Sequence, residues 1–460
     1  MSDILKGYRG KARARLKEMK VKVWSDVEVS TNQGKFRGII LPRVETADDW
    51  HIVLKMPNGY NIGIDVNRVT SIKEIGYKEA CYKIPESEFP VTPDKPNIVL
   101  LGTGGTIASR LDYRTGAVIP AFTPGELYGA VPELADICNL KTKKLFGIFS
   151  ENMSGGEYIA LAGAIGEEIE NGVDGVLIGH GTDTMHHTAA VLSFMVQDLP
   201  VPVVMVGSQR SSDRPSSDAA LNLRCGTFTA ACGDIAEVTV CMFGPTSDSY
   251  NLLHRGTRVR KMHSSYRDTF RTIGDIPLAI VTPNKFSPFR NDYKKRDKTR
   301  KPKIISTFEE MVTILYYYPG MRPDIIEALV EKGYKGIVIA GTGLGHVNTP
   351  LYKPLKKAID QGMAVYMTVQ TLWGYVQMYV YDTGRDLMHI GVVPLANMLP
   401  EVAFVKLSWA LGQTDDLDEV ERIMLTPINN EITEREPHDG YLIFQGGVPE
   451  VDEFITRHIR

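Results

Sequence analysis

NIVLLGTGGTIAS, residues 97–109, decides how the chain is read. Residues 98–101 form an unbroken apolar run that stops at Gly102. A short apolar run ended by glycine is the pattern of a strand buried on both faces of a parallel sheet. The same pattern returns in GVLIGH (175–180), PVVMVG (202–207), EVTVCMF (237–243) and LAIVTP (278–283). Helical periods come after the first two of these. Strands alternating with helices predict an α/β domain with a covered parallel sheet. The alternation resumes after residue 303 with ILYYYP (314–319), a helix near 323–331, GIVIAG (336–341), a helix near 351–360, AVYMTV (364–369) and PEVAFVKLSWALG (400–412).

Upstream the period differs. Residues 1–20 read as a basic helix. WSDVEVST (24–31), GKFRGIILPRV (34–44), WHIVLKMPNGYNIGIDV (50–66) and VTSIKEI (69–75) are β-rich and carry turn signals at Asn32-Gln33-Gly34 and Pro57-Asn58-Gly59. Such runs predict a small barrel. The expected order is a barrel domain with its basic helix over 1–85, a linker over 86–96, a first α/β domain over 97–284, a basic linker over 285–303, a smaller C-terminal α/β domain over 304–425, and a tail over 426–460. KKRDKTRKPK (294–303) reads as a solvated tether.

The 460 residues carry a net charge of −3, so no global field favours nucleic acid or a membrane. The five cysteines, Cys81, Cys138, Cys225, Cys232 and Cys241, show no C-x-x-C spacing. This gives no zinc signature and fits a reducing compartment. No signal-peptide or membrane-spanning run is present, and a cytoplasmic protein is expected.

The loop after the first strand holds Thr103, Gly104, Gly105 and Thr106. It lacks the Lys-Ser/Thr of a P-loop, and Ile107 stands where a dinucleotide fingerprint needs glycine. Two hydroxyls among exposed backbone N–H groups suit a nucleophile beside an oxyanion hole. A glycine-rich turn capping a helix is the bland alternative. The second loop, His180-Gly181-Thr182-Asp183-Thr184, also ends a strand and should face the first. Asp183 could meet an α-ammonium group. His186 and His187 point about 100° apart on a helix, so they read as surface residues and no metal site is expected. A lysine can serve as base if burial or neighbouring charge lowers its pKa. Lys261, in RGTRVRKMHSS (255–265), is one candidate in the same domain.

GTGGTIAS (102–109) and HGTDTM (180–185) resemble the two signature motifs of the bacterial-type L-asparaginase family. The likeness runs on through PVVMVGSQR (202–210), DAALNL (218–223) and GVVPLANMLPEVAFVKLSWALG (391–412), over roughly residues 95–425. The resemblance implies an asparaginase-like two-domain parallel-sheet α/β core. Thr106 matches the nucleophile. Thr182 and Lys261 match a proton-relay pair, and Asp183 the aspartate that holds the substrate α-amino group. Ser150 and Glu151 in FSENM (149–153) fall where a serine and a glutamine bind the substrate backbone, with Glu151 departing from that glutamine. Gly105 joins the substrate-binding set. Tyr113 stands closer to Thr106 than the family's mobile-loop tyrosine would.

The N-terminal domain with NGYNIGI (58–64), the basic run and the extended tail resemble a narrower family, the archaeal D subunits of glutamyl-tRNA(Gln) amidotransferase. That resemblance implies a glutaminase or asparaginase subunit of a ligase complex used in protein biosynthesis. It implies a homodimer of this chain in a heterotetramer with the amidotransferase E subunit, and Glu-tRNA(Gln) as a partner of the complex. Glutamine or asparagine would be the amide donor. No cofactor is expected in this chain; ATP and magnesium are expected in the partner subunit. The competing readings are a stand-alone cytosolic L-asparaginase and a non-enzymatic binding protein on the same fold. Free asparaginases generally lack the N-terminal domain, and a binding protein would have no need of Thr106, Thr182, Asp183 and Lys261 together.

Overall fold

The computed structural model describes residues 5, 7–43, 47–58, 60–77, 91–104, 131–210, 216–438 and 440–441, with the backbone of 109–111 and 118–120. The chain forms two compact units. Residues 1–86 and 109–121 make the first, and residues 87–108 and 122–460 the second. The segment 109–121 therefore interrupts the domain expected over 97–284.

In the first unit, helix α1 (Gly10–Glu18) precedes strands β1 (Ser25–Thr31), β2 (Gly34–Ile40), β3 (His51–Lys55), β4 (Asn61–Asp65) and β5 (Val69–Tyr77). They form one antiparallel sheet in the order β4-β3-β2-β1-β5. Burial alternates along β1, which turns Val27 and Val29 inward. Ala12 and Leu16 of α1 join those valines, Ile40, Ile52 and Leu54 in one apolar core. Tyr8 ties this core together: its hydroxyl donates to Leu41 O at 2.8 Å and accepts from Val53 N at 3.1 Å. Among the described residues the end strands β4 and β5 are not paired with each other, and the small domain expected here is this five-stranded antiparallel sheet with its helix.

The second unit is built on β6 (Asn97–Gly104), β9 (Asn139–Ile148), β10 (Gly175–Gly179), β12 (Val203–Val206), β13 (Val238–Phe243), β14 (Asn251–Arg255), β17 (Ala279–Thr282) and β18 (Lys285–Pro288). Their order is β18-β17-β14-β13-β12-β10-β6-β9. The strands β9, β6, β10, β12 and β13 run parallel. Helices α2 (Gly155–Glu170), α3 (Met185–Met195) and α4 (Ala219–Cys232) connect or flank them. β14, β17 and β18 are antiparallel additions. LAIVTP, expected in the parallel sheet, keeps the direction of β13, but as β17 it pairs antiparallel with β14 and β18. Only residues 244–250 join β13 to β14, fewer than the dozen or so that a parallel crossover needs. The short pairs are β7 (Ser109–Leu111) with β8 (Val118–Pro120), β11 (Val196–Gln197) with β19 (Lys303–Ile304), and β15 (Val259–Lys261) with β16 (Phe270–Thr272).

A second parallel sheet comes next, its strands in sequential order: β20 (Val312–Tyr316), β21 (Gly336–Gly341), β22 (Ala364–Val369) and β23 (Val393–Pro394). Helices α5 (Asp324–Glu331), α6 (Tyr352–Asp360) and α7 (Asp382–His389) alternate with these strands. Then come α8 (Pro400–Leu411) and α9 (Leu417–Leu425). The helix α8 is buried all round apart from Phe404, and it shares one apolar cluster with α3. Trp409 stacks on Phe194 there, with centroids 5.8 Å apart.

The basic run is not a solvated tether. Arg296 donates to the carbonyls of Ala230 (2.9 Å), Ala231 (3.3 Å) and Gly233 (3.1 Å) at the C-terminal end of α4. A guanidinium there satisfies carbonyls that have no intrahelical partner and suits the negative end of the helix dipole. Arg300 donates to Leu199 O at 2.6 Å, and Lys303 lies in a strand pair with Gln197. The described part of the tail also folds back. Trp373 Nε1 donates to Gly440 O at 2.9 Å, and Lys406 is buried against Glu431 at 2.6 Å.

Candidate active site

Four parallel strands end side by side, so the loops after β9, β6, β10 and β12 gather at one edge of the sheet. β6 ends on Gly104, whose φ is +118° and whose Cβ would lie 2.2 Å from Ile148 O. Only glycine lets the two strand ends approach so closely. Thr103 is 2% exposed and its hydroxyl donates to Gly179 O at 3.0 Å. That commits the first threonine of the motif to joining β6 to β10, and removes it as a nucleophile. Gly105, Thr106 and Tyr113 lie outside the described residues.

The loop after β10 is clamped from within. His180 is fully buried, and burial pushes its imidazole down to about 4, so it is neutral at pH 7. Its Nδ1 faces Gly181 O at 2.6 Å, and a carbonyl can only accept, so Nδ1 carries the proton. Nε2 then accepts from the Thr188 hydroxyl at 2.9 Å. Thr184 donates to Ser150 O at 2.6 Å, and a Cβ on Gly181 would meet Ser150 Cβ at 2.7 Å. The turn Ser150–Asn152 is thus pressed onto this loop, with Ser150 buried and Glu151 exposed.

The family resemblance implied that Thr182, Asp183 and Lys261 share one site, and the structure brings them together. Lys261 Nζ lies 2.9 Å from Thr182 Oγ1 and 2.7 Å from Asp183 Oδ1. Thr182 is buried, whereas the Asp183 side chain is 69% exposed and open to an incoming group. The lysine is 79 positions from Thr182 in the chain and ends the three-residue strand β15. That strand has a fixed stem. Arg258 is fully buried and donates to Asn397 O at 2.9 Å and Asn430 O at 2.8 Å; Thr257 donates to Asn429 O at 2.6 Å.

His186 and His187 are not surface residues as expected. His186 is 7% exposed, and burial pushes His187 down to about 4 and His186 well below its usual value. Their helix, α3, packs against α8. Among the described residues, no group of three or more His, Cys, Asp or Glu side chains could hold a metal ion. The sequence reading missed His180 as a clamp, and it missed Asp218. The Asp218 carboxylate accepts from Ser208 Oγ (2.9 Å), Gln209 N (3.0 Å), Arg210 N (3.0 Å) and Asn222 Nδ2 (2.9 Å), and so fixes the loop after β12. The available signal was an aspartate just before α4 with an asparagine four residues on.

Comparison with known proteins agrees with this architecture. Residues 97–293 match the asparaginase N-terminal family and residues 311–424 the glutaminase/asparaginase C-terminal domain. The solved L-asparaginase of Thermococcus kodakarensis superposes with a TM-score of 0.65 at 29% identity, over 73% of this chain and 99% of that one. A probable cytoplasmic L-asparaginase from Campylobacter jejuni gives 0.61 at 28% identity, over 72% and 100%. The class is therefore that of the asparaginase-type amidohydrolases. Residues 21–75 match the GatD N-terminal domain. The D subunit of the glutamyl-tRNA(Gln) amidotransferase of Pyrococcus furiosus is 50% identical over 411 residues, 89% of this chain and 93% of that protein. Its counterpart in Methanopyrus kandleri is 48% identical over 438 residues, 93% and 95%. The chain belongs to the family of glutamyl-tRNA(Gln) amidotransferase D subunits.

Proposed function

We propose that this chain is the amide-hydrolysing subunit of a glutamyl-tRNA(Gln) amidotransferase, with Thr106 as nucleophile and Thr182 with Lys261 as proton relay. The observation that carries the reading is the Lys261 side-chain nitrogen 2.9 Å from a buried threonine hydroxyl at the carboxyl edge of an asparaginase-type sheet. Asp183 receives the α-ammonium of glutamine or asparagine. Ser150, Glu151 and Gly105 complete the pocket for the amino-acid backbone, and Tyr113 lies in the segment just after the nucleophile.

The Thr106 oxygen attacks the carboxamide carbon and gives its proton to the relay. The tetrahedral intermediate collapses with proton return to nitrogen, and ammonia leaves. An ester to Thr106 remains, which water hydrolyses to glutamate or aspartate. Backbone N–H groups of the glycine-rich loop are suited to the developing oxyanion. Ammonia passes to a partner E subunit, which uses ATP and magnesium to activate Glu-tRNA(Gln) and forms Gln-tRNA(Gln). This chain acts in the cytoplasm as a homodimer within a heterotetramer.

The test is co-expression with the partner subunit, followed by assays of ammonia release and of tRNA amidation. Glutamine hydrolysis coupled to Gln-tRNA(Gln) formation supports the reading. Hydrolysis at an identical rate with and without partner and charged tRNA makes the chain a free amidohydrolase and refutes it.

A further inference from the structure

His186 and His187 in the first turn of α3 and Glu401 in the first turn of α8 all interact with Arg260, next to Lys261, and the relay itself uses none of them. Glu401 is the second residue of α8, behind Pro400, and is 3% exposed. Its Oε2 meets Arg260 Nη1 at 2.7 Å. Arg260 immediately precedes Lys261 on β15. An acid in the first turn of a helix has a bland explanation in the helix dipole. Three observations go beyond it. Glu401 Oε1 is buried with no hydrogen-bond partner, as are His186 Nδ1 and His187 Nδ1. Orphaned buried polar atoms are rare in folded proteins. A buried ion pair is seldom worth more to stability than apolar residues of the same volume. Stability alone is therefore a poor reason for this pair to stand next to Lys261.

We propose that Glu401 is a positioning residue for Lys261: acting through Arg260, it holds the end of β15 and balances the charge beside the lysine ammonium. The proposal rests on the relay reading above. The groups facing this point come from every packed element. Thr182 and Asp183 come from the loop after β10, His186 and His187 from α3, Arg271 from β16 opposite Arg260, Tyr316 from β20, and Glu401 from α8. Both histidines are driven neutral by burial, and Arg271 has its own partner in Asp268 at 3.2 Å. The charges that remain to act on Lys261 are Arg260, Glu401 and Asp183. Burial pushes the Glu401 carboxyl up, and the Arg260 charge opposes that shift. The Arg260 charge thus favours the ionised form of Glu401. Without Glu401, Arg260 leaves an uncompensated positive charge next to Lys261, which disfavours the ammonium form.

The experiment is competitive acylation of Lys261 across a pH series, read by mass spectrometry on the intact chain, alongside kcat per folded molecule for glutamine. In Glu401→Gln the midpoint for Lys261 acylation moves to lower pH by at least about half a unit, and kcat nevertheless falls about tenfold or more, because Arg260 no longer holds the end of β15 and Lys261 is misplaced. In Arg260→Gln the midpoint moves the other way. The double variant returns towards wild type, because a pair acting as one unit is not additive. A purely structural role lowers the melting temperature and leaves the midpoint in place. An unmoved midpoint in folded Glu401→Gln overturns the proposal. If that variant does not fold, an unmoved midpoint in Arg260→Gln does so. Acylation does not depend on catalysis. A wild-type protein that hydrolyses neither glutamine nor asparagine would therefore sink the functional reading and leave this test standing.

Discussion

Replacing Gly207 with alanine tests whether the site depends on the exact seat of Thr182. A Cβ on Gly207 would stand 2.6 Å from Met185 Cε, 2.8 Å from His180 O and 2.8 Å from Thr182 Cγ2, where ordinary contact begins at 3.4 Å. The methionine methyl can swing aside. The other two atoms belong to one loop, and that loop is pinned by the His180–Thr188 and Thr184–Ser150 hydrogen bonds. It must retreat as a body by roughly 0.6 Å, since packed interiors have no slack of that size. A retreat along the Lys261–Thr182 line stretches that contact, now 2.9 Å, to about 3.5 Å, where an N–H···O interaction has lost most of its strength. A reacting group displaced by about 1 Å costs on the order of 100-fold in rate, so a loss of about 10–100-fold in kcat is expected. Overpacking should cost about 1–3 kcal/mol of stability. The control is Gly163→Ala in α2, where a Cβ meets nothing within 4 Å. That change should stabilise by about 0.5–1 kcal/mol with kcat unchanged. Ammonia release and differential scanning calorimetry on both variants are the assay. A Gly207→Ala protein with kcat within twofold of wild type would refute the reasoning.

Three further outcomes are expected. Thr106→Val and Lys261→Met should each remove nearly all glutaminase activity at unchanged circular dichroism; activity within a few-fold of wild type reassigns the residue. Lys406→Met strands the buried Glu431 carboxylate, which Lys406 meets at 2.6 Å, and should cost about 3–5 kcal/mol in urea unfolding. Adding Glu431→Gln, which keeps the acceptor for Ile428 N and Asn429 N, should recover part of that loss. Burial pushes His254 down to about 3 from 6.5, so the unfolded chain binds a proton that the folded one refuses. Its contribution is fully present above pH 6.5 and is lost as pH falls towards 3. The melting temperature of His254→Gln should therefore fall less steeply over that window than wild type, and parallel curves would count against this assignment.

Features set by local pattern are legible in the sequence. An apolar run ended by glycine marks β6 and β10 because a doubly covered strand tolerates nothing else. Loops at the carboxyl ends of those strands must share an edge, which is why the loops of Thr103 and Thr182 could be placed together from order alone, whereas Ser150 came only from the family resemblance. The features that escaped depend on distant partners. Lys294, Arg296 and Arg300 look like a solvated run because nothing local shows that Arg296 reaches Ala230 O and Ala231 O, more than sixty residues away. The two adjacent histidines read as surface residues until α8, over two hundred positions downstream, covers their helix. The antiparallel flank of the sheet was legible in principle. Seven residues between β13 and β14 cannot make a crossover, and loop length rather than strand composition carries that information.

The division of labour within the loop over residues 180–184 says where control of the reaction can act. His180, Gly181 and Thr184 hold the loop through buried contacts to Thr188 and Ser150, leaving Thr182 and Asp183 to face Lys261. On the proposed reading Thr182 and Lys261 form the relay, and Asp183 links that pair to the substrate. Its exposed carboxylate already pairs with Lys261 at 2.7 Å, and an incoming α-ammonium must compete for it. Substrate binding thereby takes negative charge away from the lysine and adds positive charge beside it, and both effects favour release of the lysine proton. On the proposed reading the group that recognises the amino acid is also the group that readies the base, so a ligand without an α-ammonium should bind poorly and leave the relay idle.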